Sequence, residues 1–371
     1  MGRRPDRGPG SARVGLGAGS PAGYPAAVKP LPVNVAVFLT SPDVPGFNFT
    51  DRHARRLAEA TGAQVHVCGS DAEFAERLPK ADVALAWRFR PEWRPLAARL
   101  RWLATPAAGR DFMDALDGTL PFAVTFGTFH GEFMAETLLA MALAEVRGLT
   151  EAIRRQRAGE PWPREPVGRA ATGLRGRHMV IVGFGHIGEW IAKLAKPFGV
   201  RITAVRRHST RKPACLDAHD RTIAVGELDR VLPATDDLVL VLPREPDSAH
   251  LLDARRLALL PRHAVVYSIG RGHCIDEAAL ADALRRGRLR AAYLDVFETE
   301  PLPVDSPLRN CPHAVLMPHA SAASPHYMDR FTDEIVAQFS RYAGGSSAGP
   351  AKARREKSGA RPRIARRGTR G

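Results

Sequence analysis

The sequence predicts an α/β protein of two domains with parallel β-sheets. At 371 residues, the chain exceeds the size at which a single hydrophobic core is usual, which favours two domains. From about residue 31 to residue 320, short apolar runs alternate with longer amphipathic stretches. This alternation is typical of parallel strands connected by helices. A glycine-rich turn between one such run and a helix, at residues 183–188, supports the same fold class.

The short apolar runs predict the strands. In the first half of the chain they are Asn34–Leu39, Gln64–Val67, Val83–Ala86, Arg101–Ala104 and Phe122–Val124. In the second half they are Met179–Val182, Ile202–Val205, Leu238–Leu242, Ala264–Tyr267, Ala291–Leu294 and Ala314–Met317. Because amphipathic stretches separate these runs, we expect neighbouring strands to be parallel.

The amphipathic stretches predict the helices. Asp51–Ala60 and Asp71–Leu78 each begin with an acid, which suits the N-cap or the first turn of a helix. One long helix is expected from about His130 to Ala158, and a final helix from about Pro325 to Tyr342. The proline-rich segment Gly159–Pro166 is expected to be a loop.

The net charge of +15 is concentrated in the two ends of the chain. Residues 1–30 carry +4 and residues 344–371 carry +8, which leaves +3 for the 313 residues between them. Both ends have little to bury, so we expect two disordered tails. A basic tail is usually solvated, and no specific nucleic-acid partner is predicted. No apolar run approaches the ~18 residues that span a bilayer, so no membrane function is predicted.

The cysteines and histidines predict neither disulfides nor a metal site. The cysteines are scattered without paired spacing: Cys68, Cys215, Cys274 and Cys311. This pattern fits a reduced, cytoplasmic compartment, and the N-terminal segment lacks the apolar stretch of a secretory signal. The histidines show no spacing typical of metal ligands.

The strongest local signal is the segment MVIVGFGHIGEW, in which an apolar strand runs into the pattern G-x-G-x-x-G. Gly183 is expected to allow the tight turn, Gly185 to let the backbone approach a pyrophosphate, and Gly188 to let helix and strand pack closely. The backbone N–H groups of His186 and Ile187, at the helix N-terminus, would bind the phosphates. Because a second strand follows, the segment predicts a dinucleotide-binding βαβ unit.

The residues after that second strand indicate which dinucleotide is preferred. An NAD site normally has an acid here, about 20 residues beyond the glycines, to bind the ribose. This chain instead has Arg206, Arg207 and His208, with Arg211 close behind. Guanidinium groups pair well with a 2′-phosphate, so the sequence predicts NAD(P)H with a preference for NADPH. The alternative is a solvated basic loop and an unselective site.

Three further motifs each follow a predicted strand: SIGRG, LDVFETEPL and MPH. Open α/β sheets bind their ligands at that edge. Arg271, in the first motif, can hold a substrate carboxylate and polarise the carbonyl oxygen. His319, in the third motif, can deliver a proton to that oxygen, and Glu300, in the second, can orient the imidazole. The cofactor would supply the hydride, so these residues predict reduction of a small 2-oxo acid.

Each of these residues also has a simpler interpretation. Arg271 alone could be an ion-paired residue at a strand end, and His319 a satisfied core histidine, but three such residues in order favour catalysis. Ser268 is not predicted to be a hydrolase nucleophile, because valine stands where the nucleophile elbow needs glycine. His130 and Glu132 are interpreted as caps of the long helix rather than as catalysts.

Over roughly residues 33–342, the chain resembles the D-isomer-specific 2-hydroxyacid dehydrogenases, a family that includes glyoxylate/hydroxypyruvate reductases. The resemblance rests on VGFGHIG, LPREPDSAHLL, SIGRGHCIDEAALADAL, LDVFETEPLP and MPHAS taken together. It implies two Rossmann-like or flavodoxin-like domains in a homodimer. The cofactor domain, residues 127–319, would be inserted into a substrate domain formed by residues 31–126 and 320–343.

The resemblance also assigns roles to individual residues. The family's catalytic arginine, glutamate and histidine fall on Arg271, Glu300 and His319. Its substrate contacts fall on Arg88, Ala108 and Gly109, and its cofactor contacts on Pro243, Ile269 and Asp295, the last of which would hold the nicotinamide amide.

The chain departs from the family pattern without losing a catalytic group. Arg206 replaces the usual acid, Ser268 replaces an asparagine, and Ala320 and Ser321 replace glycine-type residues. Glu300 stands where formate dehydrogenases have glutamine, which excludes that reaction.

Glyoxylate and hydroxypyruvate are the favoured substrates. Phosphoglycerate is less favoured because no regulatory domain is expected after Tyr342. Two other functions stay open: a corepressor-like, nucleotide-sensing interaction protein on the same fold, and a polyanion-binding protein that acts through its tails.

Overall fold

The computed structural model describes residues 32–110, 113, 120–207 and 211–343. The segments predicted as tails, residues 1–30 and 344–371, lie outside the described residues, as does His208. Within the described ranges, the chain forms two parallel β-sheets covered by helices, as the sequence predicts. None of the described helices is long and apolar enough to cross a membrane.

The first sheet has the strand order β2-β1-β3-β4-β5, with every pairing parallel. Strands β1 to β5 are Asn34–Phe38, Gln64–Val67, Val83–Ala86, Trp102–Thr105 and Ala123–Phe126, and helices α1 and α2 are Asp51–Thr61 and Asp71–Arg77. Successive side chains of a strand point to opposite faces. Val35 and Val37 therefore enter one core and Ala36 the other, so that the sheet is buried on both faces.

Three helices follow the first sheet: α3 (Gly131–Val146), α4 (Leu149–Arg157) and α5 (Arg164–Ala170). The prediction of one long helix is wrong, because Gly148 adopts a φ of 70° between α3 and α4, and such a residue ends a helix. The prediction that Gly159–Pro166 is a loop is also wrong in part, since its residues from Arg164 onward belong to α5. Pro163 and Pro166 lie at the N-cap and in the first turn of α5, where a missing N–H breaks no helical hydrogen bond.

The second sheet has the strand order β12-β11-β10-β9-β6-β7-β8, again with every pairing parallel. Strands β6 to β12 are His178–Val182, Arg201–Arg206, Arg221–Ala224, Asp237–Leu240, Val265–Ser268, Ala291–Leu294 and Ala314–Leu316. Helices α6 to α9 are His186–Ala195, Leu228–Val231, Ala254–Leu259 and Glu277–Arg285. Strand β8, at the edge of the sheet, has no counterpart among the predicted strands.

Helix α10 (Tyr327–Tyr342) returns the chain to the first sheet. Its apolar residues Phe331, Ile335 and Phe339 share a core with Val35 and Trp102. The chain therefore crosses between the sheets twice, through residues 127–130 and through residues 317–326. In each sheet the strand order reverses beside the first strand, β1 or β6, and such a reversal opens a crevice at the carboxyl ends of the strands.

Candidate active site

A cavity of about 770 Å³ lies between the carboxyl ends of the two sheets. Residues that follow β1, β3 and β4 line it on one side, and residues that follow β9, β10 and β12 line it on the other. Many of the residues singled out from the sequence are among them: Arg88, Ala108, Gly109, Ile187, Pro243, Ile269, Arg271 and His319. Strands from both halves of the chain thus bring these distant residues to one place.

Arg271 lies directly after β10, in a loop that touches the loop after β11. Its Nη1 donates a hydrogen bond to the Gly270 carbonyl at 2.8 Å. The next residue, Gly272, has no space for a side chain, because a Cβ there would lie 1.9 Å from the Phe297 carbonyl carbon. This close approach brings Arg271 near the turn that carries Glu300.

Glu300 and His319 are joined by a hydrogen bond of 2.7 Å between Oε2 and Nδ1. The other carboxylate oxygen of Glu300 accepts the backbone N–H of Phe297 at 3.0 Å. Burial raises the pKa of Glu300, but the hydrogen bonds from His319 and Phe297 and the charges of His319 and Arg271 outweigh it and bring the pKa below its ordinary value. Glu300 is therefore an anion at neutral pH and can stabilise a protonated imidazole.

Asp295 fixes the backbone around His319. His319 has a φ of 50°, in the left-handed region that side-chain-bearing residues seldom adopt. Asp295 is fully buried, its carbonyl accepts the His319 N–H at 2.8 Å, and its carboxylate accepts the N–H groups of Ala320 at 2.7 Å and Ser321 at 3.0 Å. The predicted contact of Asp295 with a nicotinamide amide stays a prediction, since this side chain is not part of the cavity lining.

The glycine turn after β6 has the form that a dinucleotide site needs. Gly183 has a φ of 91°, and a Cβ on it would lie 2.3 Å from the Val241 carbonyl oxygen. A Cβ on Gly188 would be 3.3 Å from the Phe184 ring and 3.4 Å from Ile181 Cγ2 of β6, so helix and strand pack closely there. A Cβ on Gly185 would meet no atom within 4 Å. The space over Gly185, beside the N–H groups of His186 and Ile187 that open α6, fits a pyrophosphate.

The basic cluster at the end of β7 has acidic partners that the sequence reasoning missed. Arg206 Nε donates to the Phe184 carbonyl at 2.9 Å, and its Nη2 lies 3.6 Å from Glu189 Oε1. Arg207 Nη2 donates to Glu245 Oε2 at 2.7 Å. Arg206 is thus folded back onto the glycine turn, next to the expected position of the phosphates.

His130 occupies the N-cap position of α3, as predicted, but its side chain makes no capping hydrogen bond. It is buried, lines the cavity, and places Nε2 2.8 Å from the hydroxyl oxygen of Tyr327. Burial lowers the pKa of His130 to about 4, so the ring is neutral at neutral pH. Glu132, the other predicted cap, lies in the first turn of α3 and pairs with Arg330 at 2.9 Å. No local sequence pattern marks the contact between His130 and Tyr327.

Within the described part of the chain, no three His, Cys, Asp or Glu side chains are grouped so that they could hold a metal ion. The four cysteines are free.

An open helix N-terminus after a glycine turn is suited to a nicotinamide nucleotide, and its residue Ile187 lines the same cavity as His319, which can exchange the proton that accompanies hydride transfer. The fold and the cavity therefore define an NAD(P)-dependent oxidoreductase. Residues 139–321 match the family described as "D-isomer specific 2-hydroxyacid dehydrogenase, NAD binding domain". The chain belongs to the D-isomer specific 2-hydroxyacid dehydrogenases, which act on the CH–OH group of their donors with NAD or NADP.

Individual relatives agree with this membership. Glyoxylate/hydroxypyruvate reductase B of Escherichia fergusonii is 32% identical over 278 residues, which are 74% of this chain and 78% of that protein. The enzyme of the same name from Pectobacterium atrosepticum is 36% identical over 235 residues, covering 62% and 71%. A D-isomer specific 2-hydroxyacid dehydrogenase from Xanthobacter autotrophicus Py2, solved with NADPH and MES, is 26% identical with a TM-score of 0.69 and covers 83% of this chain and 95% of that one. The predicted fold class is confirmed.

Proposed function

We propose that this protein uses NADPH to reduce a small 2-oxo acid, with glyoxylate and hydroxypyruvate as the favoured substrates, to the D-2-hydroxy acid. The observation that carries the proposal is the hydrogen bond of 2.7 Å between Glu300 and His319, at a cavity that Arg271 also lines. The names of the relatives from Escherichia fergusonii and Pectobacterium atrosepticum support the choice of substrates.

In this proposal, each catalytic residue acts on a different part of the substrate. Arg271 holds the carboxylate and draws electron density towards the carbonyl oxygen. Because Glu300 engages Nδ1 of His319, the proton passes from Nε2 of that ring to the carbonyl oxygen as it becomes an alkoxide. Glu300 stabilises the imidazolium before the transfer and keeps the ring in one orientation. The nicotinamide, when bound, supplies the hydride.

The preference for NADPH is supported by the chain itself and by one relative. Arg206 and Arg207 stand where NAD enzymes have an acid; Arg206 is bonded to the glycine turn, and Arg207 to Glu245, which follows β9. A 2′-phosphate would take the place of Glu189 and Glu245 as their anionic partner. The Xanthobacter autotrophicus relative was solved with NADPH.

We also propose that one sheet belongs to a substrate domain and the other to a cofactor domain. Residues 31–126 and 320–343 would form the substrate domain, with Arg88, Ala108 and Gly109 in contact with the 2-oxo acid. Residues 127–319 would form the cofactor domain, with Pro243 and Ile269 lining the cofactor groove and Asp295 holding the nicotinamide amide. Cavity-lining positions of Arg88, Ala108, Gly109, Pro243 and Ile269 support this division.

The proposed assembly is a homodimer in the cytoplasm. Large apolar side chains are exposed on α4 and after it: Leu149 is 53%, Ile153 40% and Trp162 81% exposed. Apolar side chains clustered at a surface are typical of an interface. Sedimentation of the wild type and of an Ile153→Asp, Trp162→Asp variant tests this assembly, since the variant is expected to be monomeric. The cytoplasmic location stays a prediction from the cysteine pattern.

A panel of 2-oxo acids, assayed with NADPH and with NADH, tests the proposed activity. We expect turnover of glyoxylate and hydroxypyruvate, and a higher kcat/KM for NADPH than for NADH. Absence of turnover with every 2-oxo acid would overturn the proposal and favour a nucleotide sensor.

A further inference from the structure

Two buried side chains of the cavity wall have no role in the hydride transfer described above. His130 ends the first crossing between the sheets, and Tyr327 begins α10 at the end of the second crossing. The two residues are 197 positions apart, yet His130 Nε2 lies 2.8 Å from the Tyr327 hydroxyl oxygen. They are 4% and 3% exposed, and both line the cavity.

The pair is anchored to both sheets. The Tyr327 hydroxyl donates a hydrogen bond of 3.2 Å to the Pro106 carbonyl, directly after β4 of the first sheet. His130 is followed by Gly131, on which a Cβ would lie 2.2 Å from the Trp190 ring of α6, a helix of the second sheet. A shift of the pair would therefore be transmitted to both sheets, through the hydrogen bond to Pro106 on one side and the close packing of Gly131 against Trp190 on the other.

Other contacts join the first crossing and the start of α3 to α10 at the surface. The Thr128 N–H and hydroxyl both donate to Glu334, at 2.9 Å and 3.0 Å, and Arg330 pairs with Glu132 at 2.9 Å. These groups are exposed, and exposed polar contacts contribute little to a fixed geometry. The contact between His130 and Tyr327 is the buried one, where loss of a partner leaves a polar atom unsatisfied.

Tyr327 also supports the wall that carries a proposed substrate contact. Its ring centre lies 4.4 Å from that of Phe47 and 6.0 Å from that of Trp87. Trp87 is the neighbour of Arg88 at the end of β3. The position of Tyr327 therefore determines where this part of the first sheet faces Arg271 and His319.

We infer that His130 and Tyr327 are a positioning pair, whose hydrogen bond sets the separation between the carboxyl ends of the two sheets and thereby the place of Arg88 opposite Arg271. The kinetic consequence rests on the proposed function, whereas the geometric consequence does not.

The kinetic test is Tyr327→Phe, which removes one oxygen atom and keeps the ring. We expect KM for the 2-oxo acid to rise about 3- to 10-fold, the range that one buried hydrogen bond represents, while the Kd for NADPH and kcat change less. Tyr293→Phe is the matched control, because the Tyr293 hydroxyl is also buried and donates to Glu145 at 2.9 Å, away from the cavity lining. The double variant with His130→Phe is expected to show no further rise in KM, since Tyr327→Phe already removes the hydrogen bond that joins the two side chains. An unchanged KM in Tyr327→Phe, or the same change in both tyrosine variants, would overturn the inference.

The geometric test needs no turnover. Spin labels on Glu59→Cys in α1 and Ala278→Cys in α9, both exposed positions, report the distance between the sheets. The background carries Cys215→Ser, since the other three cysteines are buried. Tyr327→Phe is expected to broaden or shift the distance distribution, and Tyr293→Phe to leave it unchanged. The same distribution in all three proteins would overturn the inference. A wild type that reduces no 2-oxo acid would contradict the proposed function alone.

Discussion

Replacing Glu300 with glutamine removes one negative charge beside His319 and keeps the shape of the side chain. Oε2 of Glu300 lies 2.7 Å from His319 Nδ1. Two unit charges about 4 Å apart interact by roughly 1 kcal/mol in water and by about 4 kcal/mol at an effective dielectric constant of about 20. The two side chains are 38% and 35% exposed, so the lower part of this range applies, about 1.4 kcal/mol.

That free energy corresponds to about a tenfold change in rate. Glu300 favours the charged ring, and reduction needs the charged ring as proton donor. In Glu300→Gln, kcat/KM is therefore expected to be about tenfold lower than in the wild type. The assay is steady-state oxidation of NADPH with glyoxylate across a series of pH values.

Glu298→Gln is the matched control for this experiment. Glu298 lies on the same turn, but its Oε1 contacts His250 Nε2 at 2.9 Å rather than His319. Its pH profile is expected to follow that of the wild type. A Glu300→Gln profile that also coincides with the wild type would refute the electrostatic role of Glu300.

Three further substitutions test other parts of the site and the fold. His319→Ala is expected to lower kcat by ~100-fold or more, because the proton donor is lost, while NADPH binding measured by fluorescence titration persists. Arg206→Asp combined with Arg207→Ser is expected to shift the ratio of kcat/KM for NADPH and NADH towards NADH, since both guanidinium groups that would bind the 2′-phosphate are removed. In the wild type, the mostly buried Arg177 donates to the Asp237 carboxylate at 2.7 Å and 2.9 Å. Asp237→Ala leaves this guanidinium without its carboxylate partner, and is therefore expected to lower the free energy of unfolding, measured in urea titrations, by about 3–5 kcal/mol.

Each of these predictions has a result that contradicts it. Unchanged turnover in His319→Ala would rule out proton donation by this residue. An unaltered cofactor ratio would discredit the arginine pair as a phosphate site. For Asp237, the control is Asp282→Ala, because the exposed ion pair of Asp282 with Arg286 should contribute little to the free energy of unfolding. Equal losses of stability in the two variants would show that burial of the Asp237 pair is not what makes it stabilising.

Local sequence pattern predicted most of the strands because parallel strands are buried on both faces and read as short apolar runs. Gln64–Val67, Val83–Ala86 and Ala291–Leu294 have the predicted bounds. Strand β8, Arg221–Ala224, was not predicted because an edge strand is partly exposed and keeps polar residues, so it does not read as an apolar run. The break at Gly148 escaped because apolar residues such as Leu149 continue on both sides of it, and periodicity does not report a positive φ.

The site was predictable to the extent that its residues follow strands. Arg271 follows β10 closely and His319 follows β12 closely. Because the strands are parallel, the topology alone brings both residues to one edge of the sheet. The contact between His130 and Tyr327 depends on how two crossing segments pack, and no spacing in the chain encodes it. The acidic partner of Arg207, Glu245, was missed for the same reason.

Because α10 comes late in the sequence, the first sheet can be completed only at a late stage of synthesis. Strands β1 to β5 are complete once Phe126 has been synthesised, but the helix that covers one face of them begins only at Tyr327. At ~5–20 residues per second, the roughly 200 intervening residues take on the order of 10–40 s to emerge from a ribosome. During that interval the nascent protein carries a partly open apolar sheet, because the face that Phe331, Ile335 and Phe339 cover still lacks α10. Protection by chaperones is therefore needed most in the part of the protein that is made first.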